Sequence, residues 1–219
     1  MADYSRLKRF FSYFYPIPIE KTGSKLNPYL EVIMHRGRLL LNTRNANYAF
    51  GDAQVKFSKT FHSIRLKEKE IDSVLILGFG VGGIAGILRN TLKITCPITG
   101  VELDETIIEL GKKYFGAFNY DRLEVEQMDA MAFLCQNREL FDLIIVDIFL
   151  DAIVPSQFET EDFISDLYAH LNGNGIIAFN KMTHTFKLNR EMQRLVGLFD
   201  KQFQHVEYFS DTDILIARK

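Results

Sequence analysis

The sequence has no tryptophan, two cysteines and five prolines among 219 residues, and each shortage narrows what the chain can be. Cys96 and Cys135 lie in separate apolar segments without a Cys-x-x-Cys pair, which argues against a disulfide framework and a thiolate zinc site. A reducing, cytoplasmic setting is expected. Charge of one sign is also lacking. Twenty-six Lys+Arg stand against 28 Asp+Glu, a net charge of −2, so no overall basic field exists to grip a nucleic-acid backbone or an anionic membrane. No apolar run approaches the roughly 18 residues of a membrane span, and the N-terminus lacks the apolar core of a secretion signal. Neither nucleic acid nor membrane is expected as a partner. His35, His62, His170, His184 and His205 are scattered without ligand-like spacing, so no metal is expected either. What the chain does have is apolar material, 47% of its residues, enough for one well-buried domain and a small appendage.

From residue 73 onward, short β-branched runs alternate with amphipathic stretches, the pattern of βα units that build a parallel sheet covered on both faces. Strands are read at 73–77, 93–101, 123–126, 141–146 and 175–179, and helices at 83–89, 104–115, 130–136, 161–171 and 188–199. The second of these helices opens on Asp104 as a cap, and the fourth ends at the turn 172–175. Two final runs, 204–209 and 214–217, read as a hairpin. Residues 1–72 have a different texture, punctuated by Pro16, Pro18 and Pro28, and are read as a separate N-terminal extension before a Rossmann-like domain at 73–219. Within it, Leu7, Phe10, Phe11 and Phe14 share one face of a short helix that also carries Arg6, Lys8 and Arg9. So short a helix binds bilayers weakly, so this face is expected to dock on the chain itself or on a second subunit. A hairpin is read at 31–41, and a helix at 52–66 with Phe57, Phe61 and Ile64 inward.

The chemistry-bearing residues fall at strand ends. Gly78-Phe79-Gly80-Val81-Gly82-Gly83 follows an apolar strand and opens a helix, the context in which glycines let a backbone approach a ligand beside a helix N-terminus. Glu102 and Leu103 end the second strand, with Glu102 placed to accept hydrogen bonds from a ribose diol. Asp129 and Ala130 end the third strand, where a short carboxylate can take the exocyclic amine of an adenine, and Asp147 ends the fourth. Singly, the glycines could serve a tight turn, Glu102, Asp104 and Asp129 could cap helices, and Asp147 could be solvated. Together they mark a nucleoside crevice, because open α/β sheets bind ligands at this edge.

Over residues 28–219 this order resembles the class I S-adenosylmethionine-dependent methyltransferase fold, and within it the spermidine synthase-like (aminopropyltransferase) family. The carriers are the glycine turn at 78–83, Gly100-Val-Glu-Leu-Asp104 with Ile107-Ile108, Asp129-Ala130, Phe141-Asp-Leu-Ile-Ile-Val-Asp147 and Leu171-Asn-Gly-Asn-Gly-Ile176. The resemblance implies a three-layer sandwich around a mostly parallel seven-stranded sheet with an antiparallel last strand, preceded by the small helix and β-hairpin extension. It also implies that the glycine turn packs on the methionine moiety, that Glu102 holds the ribose hydroxyls, that Asp129 and Ala130 meet the adenine, and that Asp147 stands beside the reacting centre.

Three positions depart from that family. Val81 stands where spermidine synthases carry an aspartate suited to the cationic tail of decarboxylated S-adenosylmethionine. Phe57-Ser58-Lys59 aligns with the family's Tyr-(His/Gln)-Glu, and Lys59 would repel a polyamine if it faced the site. Asp147-Ile-Phe-Leu-Asp151-Ala replaces Asp-x-x-Asp-Pro, with apolar residues where polar ones are usual. On these grounds methyl transfer from S-adenosylmethionine to a small-molecule acceptor is the favoured expectation. Aminopropyl transfer from the decarboxylated form is the alternative, and a nucleoside-binding protein without transfer chemistry a further one. A nicotinamide dinucleotide enzyme fits the glycine spacing less well. Asp147 and Asp151 are the candidates to orient or deprotonate the acceptor, Tyr48 a candidate aromatic wall, and Asn180-Lys181-Met182 a weaker lining. The resemblance also implies a homodimer, for which the aromatic segment 10–15 is a plausible contact.

Overall fold

Apolar side chains on both faces of each central strand dictate a sheet buried from two sides, and the computed structural model shows one. It describes residues 6–44, 52–150, 153–181 and 186–219; Tyr48, Asp151 and Met182 lie outside the described residues. A short helix α1 (Arg6–Phe11) leads into β1 (Ile17–Thr22), β2 (Leu30–His35) and β3 (Arg38–Asn42), a three-stranded antiparallel sheet where a two-stranded hairpin is expected. β1 escapes a sequence reading because Pro18 looks like a breaker. It is an edge strand with a register shift between Pro18 and Glu20, the place where a sheet tolerates a missing N–H donor. The apolar face of α1 is not docked on this chain. Leu7, Phe10, Phe11 and Phe14 are all exposed, so of the two expected docking places, this chain and a second subunit, the first does not hold.

Helix α2 (Asp52–Ser63) stops short of residue 66 because Arg65 turns into the left-handed region at φ 51°. Although N-terminal to residue 73, it packs on the main sheet through Phe57, Phe61 and Ile64, as their spacing predicts. The sheet follows as β4 (Val74–Leu77), α3 (Gly83–Gly86), β5 (Ile98–Glu102), α4 (Glu105–Leu110), β6 (Leu123–Gln127), α5 (Ala130–Gln136), β7 (Phe141–Val146), α6 (Glu161–Ala169), β8 (Leu171–Asn180), α7 (Phe186–Phe199), β9 (His205–Phe209) and β10 (Ile214–Arg218). Its order is β6-β5-β4-β7-β8-β10-β9. The first five strands are parallel, and β10 runs antiparallel to both β8 and β9. The expected seven-stranded sheet with an antiparallel last strand is therefore present.

Boundaries differ where local geometry intervenes. The helices expected at 83–89 and 104–115 each begin as α-helix and widen into a π-turn, at Ile87–Leu92 and Gly111–Phe115. The second strand begins at Ile98 rather than 93, since Lys93 ends the π-turn in a left-handed conformation. The turn expected at 172–175 is absorbed into β8. Its register against β7 jumps from Phe141↔Leu171 to Leu143↔Ile176, and Asn172 Nδ2 donates to Asp142 Oδ1 at 2.6 Å across the jump.

Alternation along the strands sorts the core into two layers. Leu75, Leu77, Ile144, Val146, Ile177 and Phe179 face α5, α6 and α7, while Val74, Ile76, Leu143, Ile145, Ala178 and Ile216 face α2 and α3. Phe61 is fully buried in the second layer, its ring 5.5 Å from that of Phe57. Phe61→Ala should cost about 3–5 kcal/mol in denaturant unfolding, since neither the helix nor the sheet beneath it can collapse onto the void.

Candidate active site

Register alone brings four strand ends to one edge. Leu77 pairs with Val101 and with Val146, and Glu102 pairs with Gln127, so the residues that follow each strand emerge side by side. The glycine turn after β4 is held against β7: Gly78 sits at φ +83°, and a Cβ there would lie 2.3 Å from the Asp147 carbonyl oxygen. Gly80, at φ +58°, has nothing within 4 Å of its Cβ position, so a ligand can approach the backbone there.

The Gly80 N–H donates to Glu102 Oε2 at 2.8 Å, and the Asp104 N–H donates to Glu102 Oε1 at 3.0 Å. Both carboxylate oxygens are thus aimed by the backbone and retain lone pairs for a diol. Glu102 is buried, and burial pushes its carboxyl above the usual range while the backbone donors pull the other way. Leu103, beside it, is exposed. Asp129 caps α5, its Oδ1 accepting from Met131 N (2.9 Å) and Ala132 N (3.1 Å), which leaves Oδ2 without a hydrogen bond among the described residues. The capping alternative and the adenine-binding reading are therefore compatible, one oxygen for each. Ala130 is buried at the first position of that helix.

Asp147 is tied to β4 through its N–H to the Leu77 carbonyl (2.8 Å), and Asn180 Nδ2 donates to its Oδ1 at 2.7 Å. Burial pushes the Asp147 carboxyl up to about 6, against the Asn180 hydrogen bond and the Lys56 charge, both of which favour ionisation. Asn180 Oδ1 is itself buried and has no hydrogen-bond partner among the described residues. A raised carboxylate beside an orphan carbonyl acceptor suits an incoming group rich in N–H donors.

Other candidates are placed elsewhere by packing. Phe79 turns its ring beneath Gly100 and edge-on to Phe118 at 5.2 Å, so only its backbone belongs to the turn. Val81 is buried with Leu30, Val32, Leu41, Ile107 and Leu110, where it fastens the N-terminal sheet to α4 rather than facing a ligand tail. Val81→Asp should therefore bury an unpaired carboxylate and cost several kcal/mol in thermal unfolding, about 2–5, without redirecting donor choice. Phe57 is in the core, and Lys59 pairs with Asp211 at 2.5 Å on the surface, which neutralises the repulsion expected of it. Lys181 does not line the crevice openly; it is buried in an ion pair with Glu159.

Two contributions are invisible in the sequence. Ser24 Oγ and Asn27 Nδ2 both donate to Asp104 Oδ2, tying the N-terminal extension to the end of β5 across about eighty residues, while Asp104 Oδ1 caps α4 as expected by accepting from Thr106 N. Gln54, from α2, lies over the glycine turn, its Nε2 2.7 Å from the position a Gly83 Cβ would take. Polar residues in a loop carry no local mark of so distant a partner.

The sheet order, with its antiparallel last strand, defines a Rossmann-like fold of the class I methyltransferase type. Residues 57–211 match the spermine/spermidine synthase domain, and the chain belongs to that family. It is 32% identical over 156 residues to a polyamine aminopropyltransferase of Thermococcus onnurineus, covering 68% of this chain and 54% of the relative. It is 34% identical over 149 residues to a spermine synthase of Saccharomyces cerevisiae, covering 62% and 48%, and 29% identical over 167 residues to a probable polyamine aminopropyl transferase of Bifidobacterium longum, covering 72% and 36%. The chain thus spans about half or less of these curated relatives. Among solved structures, a spermidine synthase in complex with the transition-state analogue AdoDATO superposes with a TM-score of 0.75 at 18% identity, over 93% of this chain and 74% of that one. Human methyltransferase-like protein 13 in complex with SAH superposes with a TM-score of 0.57 at 18% identity, over 76% and 78%. Both likenesses concern the fold. No helix among the described residues is long and apolar enough to cross a membrane.

Family membership turns the preference from methyl transfer to the aminopropyl alternative. The geometry explains why the sequence pointed the other way. Val81 and Phe57 are packing residues and Lys59 is paired, so none of the three carries the argument placed on it.

Proposed function

We propose that this chain transfers an aminopropyl group from decarboxylated S-adenosylmethionine to a small-molecule amine. The observation that carries the reading is Asp147: a half-buried carboxylate held by Asn180 at the crevice edge of a spermidine synthase-family fold, its pKa raised to about 6 by desolvation. The crevice fits the donor's nucleoside, since Glu102 offers two oriented acceptors, Asp129 one free oxygen, and Gly80 an unobstructed backbone. When bound, the donor would supply a sulfonium centre whose C–S bond to the aminopropyl carbon breaks as the new C–N bond forms, methylthioadenosine leaving as a neutral thioether.

The protein's own work is then orientation and one proton. Glu102 holds the ribose edge and so fixes the position of the sugar. Asp147 accepts a proton from the acceptor nitrogen, leaving its lone pair free to attack. Asn180 Nδ2 fixes the Asp147 carboxylate, and Asn180 Oδ1 accepts a second N–H of the same amine, so the nitrogen is aligned before it reacts. A base with a pKa near 6 is mostly ionised at neutral pH and competent to relay that proton.

The test is direct. Purified protein is incubated with decarboxylated S-adenosylmethionine and either putrescine or spermidine, and methylthioadenosine and the extended amine are followed by mass spectrometry. Both products should appear together, and intact S-adenosylmethionine should yield neither. Methylated product from the intact compound would reverse the assignment.

A further inference from the structure

The end of α1 is fixed to the protein while its apolar face stays outside. Ser12 is fully buried and does the fixing: its Oγ accepts from the Gly37 N–H (2.9 Å) and donates to the Arg9 carbonyl (2.6 Å), and its own carbonyl accepts from the Arg36 N–H (2.7 Å). The anchor is polar and mostly backbone, so it consumes none of the aromatic face. Leu7 (67%), Phe10 (59%) and Phe14 (71%) remain exposed, with Phe11, Tyr13 and Tyr15 beside them. The rings gather on the outside of the molecule, Phe10 lying 5.3 Å from Phe14 and Phe11 stacking on Tyr15 at 6.2 Å.

Cations stand on the same two segments. Arg6 and Arg9 stand on α1, and Arg36 and Arg38 on the β2–β3 turn to which α1 is pinned; none of these four has an ion pair among the described residues. Neither the segment 6–16 nor the turn 35–39 contains an acidic residue. The net charge of −2 for the whole chain conceals this local excess.

We propose that this face seats the protein peripherally on an anionic lipid surface, the rings entering the headgroup boundary and the four arginines meeting lipid phosphates. Exposed aromatic rings beside arginines on two joined segments match both halves of such a surface. A second copy matches less well, because a two-fold contact of this face with itself offers the arginines no acidic partner. The sequence-level objection was the shortness of the helix. The structure answers it by adding the 12–15 turn and two arginines from a remote hairpin to the same patch. Location is compatible with catalysis: the patch adjoins the His35 end of β2, whereas Asn27, before its other end, bonds Asp104 at the crevice, about 17 Å away by strand rise.

The full chain is mixed with vesicles of phosphatidylcholine alone, or of phosphatidylcholine with phosphatidylglycerol, and sedimented. It should pellet with the mixed vesicles, not with pure phosphatidylcholine, and be released by high salt. Arg6→Gln with Arg38→Gln should weaken partitioning about thirtyfold. Phe10→Ser with Phe14→Ser should abolish it at unchanged melting temperature, since both side chains are already exposed. Failure to pellet with the mixed vesicles, or equal pelleting of wild type and both variants, overturns the proposal. So does sedimentation equilibrium showing a dimer that the Phe10→Ser/Phe14→Ser variant dissociates, which assigns the face to a second copy.

Discussion

Asp147→Asn should lower kcat at pH 8 by about 10²- to 10⁴-fold, the usual contribution of a positioned base, while making the protein more stable. The two effects have one cause. Burial raises the Asp147 carboxyl from an ordinary 3.8 to about 6, so the ionised form needed for proton acceptance is also the form the native state disfavours. A group whose folded pKa is raised contributes stability below its unfolded pKa and loses it as pH rises through the folded value. Above about pH 6 the wild type therefore carries a penalty on the order of 3 kcal/mol that the amide lacks. The variant should melt roughly 5–10 °C higher at pH 8 and level with wild type at pH 4 or below. The Asn180 hydrogen bond survives, since the new amide oxygen can still accept it. In the wild type, kcat should rise with pH through an apparent pKa near 6, and that limb should vanish in the variant. Undiminished kcat, or a melting difference independent of pH, would remove Asp147 from the role of base.

Replacing Glu102 should act on binding rather than on chemistry. Each of its oxygens accepts one backbone N–H, from Gly80 and from Asp104, and the remaining lone pairs are those available to a ribose diol. Glu102→Gln places an amide N–H₂ opposite one of those backbone donors, so the side chain must turn away and leave a buried N–H unpaired. Loss of two hydrogen bonds to a charged acceptor amounts to about 3–5 kcal/mol, or at least roughly a hundredfold in Kd. Calorimetric titration with methylthioadenosine should show this loss. Because burial holds the Glu102 carboxyl above its ordinary pKa, wild-type binding should strengthen as pH rises and Glu102 ionises, and the Gln variant should lack that dependence. Titration curves that coincide for the two proteins would relocate the nucleoside.

The crevice was legible because its parts are local. A glycine turn after an apolar strand, a carboxylate at each of the next three strand ends and the cap at Asp104 are each marked by the few residues around them, and parallel register then aligns them. The reading failed where a residue's meaning depends on which way it turns. Val81 reads as the loss of a charge facing the donor's tail because of its place in the glycine motif, yet β2, β3 and α4 close over it. Phe57 and Lys59 belong to one helix, one turned to the core and the other to Asp211 in a turn some 150 residues later. Asn180 was rated weakly because nothing around it in sequence names Asp147 as its partner.

Hydrophobic periodicity and turn chemistry by themselves determined the three layers, the sheet with its final hairpin, and the edge to which the glycine turn and the acidic strand ends come, because these follow from burial along single segments. Tertiary structure alone decided that Asn180 holds Asp147, that Ser24 and Asn27 fasten the N-terminal extension to Asp104, and that the aromatic face of α1 remains outside. Each of those is a meeting of distant residues, and covalent order places no constraint on which side chains meet until the core has packed and fixed the register between them.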